Sequence, residues 1–288
     1  MQEEILSSNQ FFRCGARSSR DAPDKSTRYS GYPEFVKEIK TFHRHNKWQV
    51  FSDFCELAAC SFSNSVNIGE AWQRREDQYM RAIKPYTKEE ACQFAKLLSI
   101  VVEALELEPQ DFLGSVFMEL ELSNHWKGQY FTPYHVSKLM AEVTYDESVS
   151  DKITENGFIT LSEPACGAGS MVIAFAETMR AREINYQRHL HVTCVDVDAT
   201  AAYMAYIQLT LLHIPAVVIV GNTLSLEIRD KLYTPAHVLG LWSAKLEARA
   251  GASTGLPQPM PQPAPKMLCT APQALSAQGT GLQISLFD

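Results

Sequence analysis

No apolar run in this 288-residue chain reaches the ~18 residues that a membrane-spanning helix needs. The opening MQEEILSSNQ lacks the basic-then-apolar layout of a secretory leader. Zinc-type cysteine pairs are lacking as well. The seven cysteines, at 14, 55, 60, 92, 166, 194 and 269, are scattered and odd in number, and read as reduced, cytoplasmic thiols. His135, His189, His191 and His213 have no partner spacing for a metal and read as surface or core histidines. Positive charge is short too: the formal net charge is −7. A protein that only coats nucleic acid is usually basic, so any DNA contact here is local or supplied by a partner. Residues 251–288 lack almost all charge, with only Lys266 and Asp288, and hold six of the fourteen prolines and five glutamines. Such a stretch cannot build a core and reads as a linker over 251–282 followed by a short tail, 283–288.

What is present falls into segments. Residues 1–31 read as a flexible, mildly basic arm, with five basic and two acidic residues between 11 and 30. The arm either has no role or contacts DNA. Residues 32–122 carry helical stripes: Phe35, Ile39 and Phe42; Val50, Phe51, Phe54, Leu57 and Ala58; Phe94, Leu97, Leu98, Val101 and Leu105. Thr87-Lys-Glu-Glu90 is a capping box opening the last of these. The stripes are core and carry no cofactor signature.

From residue 157 the texture becomes strand, glycine turn, helix, strand, helix, strand: GFITLS, EPACGAGS, Met171 to Ala181, HLHVTCV ending at Asp196, Ala199 to Leu212, and AVVIVG. That order predicts a parallel, doubly wound α/β sheet over residues 123–250. Gly167 and Gly169 let the backbone approach a ligand while the following helix offers its N-terminus. Asp196, closing the second strand, is placed to accept both hydroxyls of a ribose. Asp198 reads as the N-cap of the next helix. Upstream, KGQYFTPYHVSKLM puts Phe131-Thr132-Pro133 before a helix that Val136, Leu139 and Met140 would anchor.

Together the segments DFLGSVFMELELSNHWKGQYFTPYHVSKLM, LSEPACGAGSM, CVDVDA and YIQLTLLHIPAVVIVGNTL resemble N6-adenine DNA methyltransferases, and most closely the modification subunits of type I restriction–modification systems. The resemblance covers roughly residues 86–226. It implies a helical region followed by a Rossmann-like domain that uses S-adenosylmethionine. On its pattern, Gln129 to Pro133, with Phe131 and Thr132 between them, resemble the segment that closes over the cofactor. Tyr130 and Phe131 read equally as core aromatics. Glu163 stands where the family usually has Asp at the methionine end, and Ala165, Gly167 and Gly169 form the loop beneath. Asp196 resembles the ribose carboxylate. Asn222 stands where the family usually has Asp near the cofactor adenine, and an amide can still hydrogen-bond an adenine edge. Cys166 lies within the motif without a nucleophilic role.

One part of the family pattern is missing. The D/N/S-P-P-Y/F/W motif that holds the flipped adenine should follow GNTL by about twenty residues, on the family's spacing. SLEIRDKLYTPAHVLGLWSAKLEA contains neither that motif nor a convincing strand before one; Tyr233-Thr234-Pro235 is the nearest approach. The expectation is a sheet of three strands, truncated relative to the family, with the strand near Phe158 to Ser162 left as an edge. A helix within Leu232 to Ala250 would cover that edge, turning Val238, Leu241, Trp242 and Leu246 inward. A second methyltransferase subunit or a second copy is the other cover. Finally, Gln283-Ile284-Ser285-Leu286-Phe287 resembles the peptide by which bacterial polymerases and repair proteins dock on the replication sliding clamp. Two readings stand: a DNA-modifying enzyme completed by a partner, or an inactive methyltransferase-like module that recruits or regulates a DNA-modification or replication complex. Both imply a cytoplasmic protein of bacterial, phage or plasmid origin.

Overall fold

The structure, a computed structural model, describes residues 31–121 and 131–253. The expected N-terminal arm, Gln129 and Tyr130, most of the expected linker, and the whole tail from Gln283 to Phe287 lie outside the described residues. Five helices come first: α1 (Tyr32–Ile39), α2 (Lys47–Asn64), α3 (Gly69–Ile83), α4 (Lys88–Leu107) and α5 (Phe112–Glu121). Then α6 (Tyr134–Thr144) and α7 (Ser148–Asn156) lead into β1 (Ile159–Glu163), α8 (Ser170–Ala181), α9 (Tyr186–His189), β2 (Leu190–Asp196), α10 (Ala199–Leu211), β3 (Ala216–Asn222), β4 (Glu227–Tyr233), α11 (Pro235–Leu239) and α12 (Trp242–Ser253). No helix among the described residues is long and apolar enough to cross a membrane.

The helical stripes fold as their spacing requires. Asn46 caps α2 by accepting from the Trp48 amide, and Thr87 with Glu90 closes the capping box at α4. Phe35, Val50, Phe51, Phe54, Leu57, Phe94 and Val101 are fully buried and share one apolar cluster with the sheet. The element that joins the two parts is α10. Its residues 201–210 are all buried because it is apolar all round, lying against β2 and β3 on one side and α2 on the other.

The sheet order is β1-β2-β3-β4, with the first three strands parallel. Two crossovers between successive parallel strands run the same way, and with the usual right-handed connection this puts α8 and α10 on one face. Leu190, Val192 and Cys194 of β2 and Ala216, Val218 and Val220 of β3 fill that face. The fourth strand corrects the expectation of three. β4 runs antiparallel to β3 and forms an edge after a tight turn, in which the Asn222 side-chain carbonyl accepts from the amides of Leu224 and Ser225. It was hidden in the sequence because an edge strand needs little apolar content. Only Leu232 of EIRDKLY is buried, and the charges guard the edge. Tyr233 pairs with Val217, near the N-terminal end of β3, and Thr234 caps α11. The Tyr-Thr-Pro segment is therefore at the opposite end of the sheet from the glycine turn.

Two further expectations change. On α6 the buried residues are Ser137 and Ala141, while Leu139 is 66% and Met140 48% exposed. Small side chains let α6 lie close on α8, with the Ser137 and Ser170 hydroxyls 2.8 Å apart. Near β1, only Trp242 of the four expected residues is buried, at 1% exposure, whereas Leu241 is 71% exposed. Trp242 lies edge-on to Phe158 at 5.1 Å and against His191 at 5.3 Å. This is the second sheet face, where His191 Nε2 meets His237 Nδ1 at 2.9 Å and His237 Nε2 meets the Ser243 hydroxyl at 3.0 Å.

Burial, and then the neighbouring His237, depress the His191 imidazole to about 4, and burial lowers His237 as well. A histidine with a depressed folded pKa is protonated first in the unfolded chain, so its contribution is complete above the ordinary value and lost as pH falls. Urea midpoints should therefore drop as pH is lowered from about 6.5 toward 4, and the drop should shrink in His191→Leu. A wild-type midpoint that is flat over this interval would contradict the assignment.

Candidate cofactor site

Three consecutive parallel strands end in polar side chains: β1 in Glu163, β2 in Asp196 and β3 in Asn222. Ligands of open α/β sheets sit outside these carboxyl ends. The loop from Pro164 to Gly169 folds over the β1 end because both of its glycines adopt left-handed backbone, with φ of 53° at Gly167 and 90° at Gly169. The Cys166 amide donates to the Val195 carbonyl at 2.9 Å, drawing the loop toward β2. The Gly167 amide donates to Asp196 Oδ2 at 2.8 Å, and the Asp198 amide donates to Oδ1, also at 2.8 Å. The Asp196 carboxylate is thus held by two backbone donors and keeps one lone pair on each oxygen for a ligand. Asp198 turns away from the site, accepting from Thr200 and Ala201 as the N-cap of α10.

The structure brings Phe131 onto this loop. A Cβ at Gly167 would lie 2.7 Å from Phe131 Cδ1, so only glycine admits the ring there. Phe131 is steadied by Phe117, edge-on at 4.8 Å. Thr132 and Pro133 are exposed at the start of α6, whose first turn is closed by Val136 and Ser137 donating to the Pro133 carbonyl. Ala165 is exposed on the loop, and Gly169 lets α8 approach α10, since a Cβ there would meet Ala205 at 3.4 Å. Thr223 donates its hydroxyl to the Pro164 carbonyl at 2.6 Å, tying the β3–β4 turn to the same loop. Because the Asn222 carbonyl is engaged in that turn, its NH₂ group is the face offered to a ligand. Burial raises the Glu163 carboxyl above its ordinary value, opposed by a backbone hydrogen bond from Ala165. A hydrogen bond with Cys194, and then burial, push the Cys166 thiol well up, which keeps it protonated and unreactive.

Several contributors were not visible in the sequence. Val197, directly after Asp196, is 56% exposed and offers an apolar face beside the carboxylate. Beneath the loop, the buried Gln208 donates to the Ala168 carbonyl at 2.8 Å and to Asp111 Oδ1 at 2.9 Å, and accepts from the Leu113 amide at 3.0 Å. Burial raises the Asp111 carboxyl, offset in part by the bonds from Gln208 and Gly114. A glutamine inside the apolar run YIQLTLL was the one sequence signal for this network. Its partners, 95 and 97 residues away, were not.

The donor set fits a nucleoside-bearing cation. Two fixed carboxylate lone pairs suit vicinal hydroxyls, an amide NH₂ suits a ring nitrogen, Val197 and Phe131 suit flat or apolar surfaces, and the half-buried Glu163 suits an ammonium group. No curated protein and no solved structure matches the chain. The family described as N-6 DNA methylase matches residues 113–248, a segment that contains Phe131, the Pro164–Gly169 loop, Asp196, Gln208 and Asn222.

Proposed function

We propose that this chain binds S-adenosylmethionine at the ends of β1, β2 and β3 and acts in N6-adenine DNA modification, with a partner completing the reaction. The observation that carries the reading is the Asp196 carboxylate held by the Gly167 and Asp198 amides. S-adenosylmethionine, when bound, supplies an electrophilic methyl group. Asp196 accepts the ribose hydroxyls, Asn222 donates to the adenine edge, and Glu163 faces the methionine ammonium. Phe131 covers the glycine loop and keeps water from it. The wider pattern of motifs resembles that of a type I modification subunit. Such a subunit works with other subunits, in agreement with a chain whose net charge is −7.

The partner requirement follows from the adenine amine. Its lone pair is delocalised into the ring, so transfer depends on holding the flipped base, and positioning of this kind accounts for several kcal/mol of a barrier. The 288 residues hold no D/N/S-P-P-Y/F/W motif, and Tyr233 is at the wrong end of the sheet to replace it.

A second reading, an inactive module that recruits a replication or modification complex, is favoured by that same missing motif and by the sequence Gln283-Ile284-Ser285-Leu286-Phe287. Burying Leu286 and Phe287 in a pocket of the bacterial sliding clamp is worth about 1.5–3 kcal/mol each, which after association costs supports roughly micromolar binding. Tethering through the proline- and glutamine-rich stretch would then supply proximity to newly replicated DNA.

Three outcomes test these readings. In calorimetry, S-adenosylmethionine or its demethylated product should bind the wild type, and Asp196→Ala should lose about 1.5–3 kcal/mol, the worth of hydrogen bonds to a charged group. Absence of wild-type binding would leave only the recruiting module. In a tritiated-methyl assay on unmodified DNA, the chain alone should stay at background and gain activity only with a partner subunit; robust transfer by the single chain would overturn the partner requirement. Titration of the bacterial clamp should give a signal with the full chain and none after removal of residues 283–288, whereas equal signals from both would exclude the tail as a clamp ligand.

A further inference from the structure

Away from the candidate cofactor site, a groove of about 420 Å³ lies between α3 and the outer edge of β4. Its charge is opposite to that of the chain. Arg74, Arg75 and Arg81 enter it from α3, and Arg229 and Lys231 from β4, against only two carboxylates, Asp77 and Asp230. Three positive charges stand in excess here, in a protein of net charge −7.

The two carboxylates are already occupied. Asp230 takes both terminal nitrogens of Arg75, at 2.6 and 2.7 Å, a bidentate pair that also fixes α3 against β4. Asp77 accepts the side-chain amide of Gln73 at 2.8 Å. The Arg74, Arg81 and Lys231 head groups have no hydrogen-bonding or ion-pair partner among the described residues, and Arg74 and Arg81 are exposed. Arg74 and Arg81 are seven residues apart on one face of α3, about 10.5 Å along the axis at 1.5 Å per residue. Cations spread along a groove suit a chain of phosphates, whereas a single phosphate calls for donors converging on one point. Arg229 links the groove to the cofactor site: its guanidinium donates to the carbonyl of Val197, the residue after Asp196.

We propose that the α3–β4 groove is a track for the phosphate backbone of a DNA strand, with Arg74, Arg81 and Lys231 as its phosphate contacts and Arg229 marking where the strand passes the cofactor site. The track deepens the DNA-modification reading, and its test is separable from cofactor binding. The contacts position the strand and carry no sequence information, which leaves recognition of the target site to other groups or to a partner.

The test is fluorescence anisotropy of the full chain with a labelled DNA duplex across a salt series. Arg74→Glu/Arg81→Glu should weaken binding at least tenfold and reduce the slope of log affinity against log salt by roughly 2, since each lost phosphate contact removes about 0.9. Lys152→Glu/Arg188→Glu changes net charge by the same amount at exposed positions outside the groove and should change the slope by much less. Equal effects from the two double variants, or no binding by the wild type, would overturn the proposal. So would inorganic pyrophosphate binding tightly in the groove and competing fully with DNA, since that would make the groove a small-anion site. Calorimetry with S-adenosylmethionine separates the readings: the groove variant should keep cofactor affinity, and Asp196→Ala should keep DNA affinity. Unchanged thermal melts of both double variants exclude misfolding as the cause.

Discussion

The structure at the carboxyl ends of β1, β2 and β3 rests on one buried side chain. Gln208 uses both amide hydrogens and its carbonyl at once, joining the Ala168 carbonyl of the glycine loop, the carboxylate of Asp111 and the amide of Leu113. Replacing it with an apolar residue would strand the Ala168 carbonyl and the Leu113 amide, each at a cost of about 1–3 kcal/mol, and leave Asp111 with the Gly114 amide alone. Because Asp111 and Leu113 belong to the helical segment and Ala168 to the loop, Gln208 fastens the loop to the helices. It also lies on α10, whose residues 201–210 are all buried between sheet and helices. The loop is therefore held from below by Gln208, from the side by Asp196 and from above by Phe131.

This arrangement divides labour between rigid and open parts. The loop, Asp196 and the start of α8 are fixed by backbone donors and close packing, which is the condition for a site whose donors stand ready before a ligand arrives. Among the described residues, the second face of the sheet is less covered. Trp242 seals one end of it against Phe158 and His191, while Leu239 and Leu241 are exposed nearby. Among the described residues, β1 is an edge strand. The chemistry of the proposed reaction needs groups that hold an adenine base, and the 288 residues offer none of the usual kind.

Much of this was legible in the sequence, for identifiable reasons. Period-3.6 stripes forecast the buried faces of α1, α2 and α4 because those helices bury one side against a single core. The turn at Gly167 and Gly169, the carboxylate at Asp196 and the cap at Asp198 were legible because each is a local requirement of backbone geometry. What escaped was non-local or weakly patterned. β4 is a charged edge in which Leu232 alone is buried. The contact face of α6 is made by Ser137 and Ala141, whose small size lets the backbone close in, and periodicity of large residues pointed to the exposed face instead. The Gln208–Asp111 pair spans 97 residues, and the α3–β4 groove draws its cations from segments about 150 residues apart.

The central claim, that the ends of β1, β2 and β3 with Phe131 form the cofactor cradle, is tested most directly by photo-crosslinking. Methyl-tritiated S-adenosylmethionine would be irradiated with the full chain and the labelled peptides mapped. The account predicts label on peptides that contain Phe131, the Glu163–Gly169 loop, Val197 or Asn222, and loss of that label on competition with unlabelled cofactor. Label confined to other parts of the chain, or no competable label at all, would contradict it.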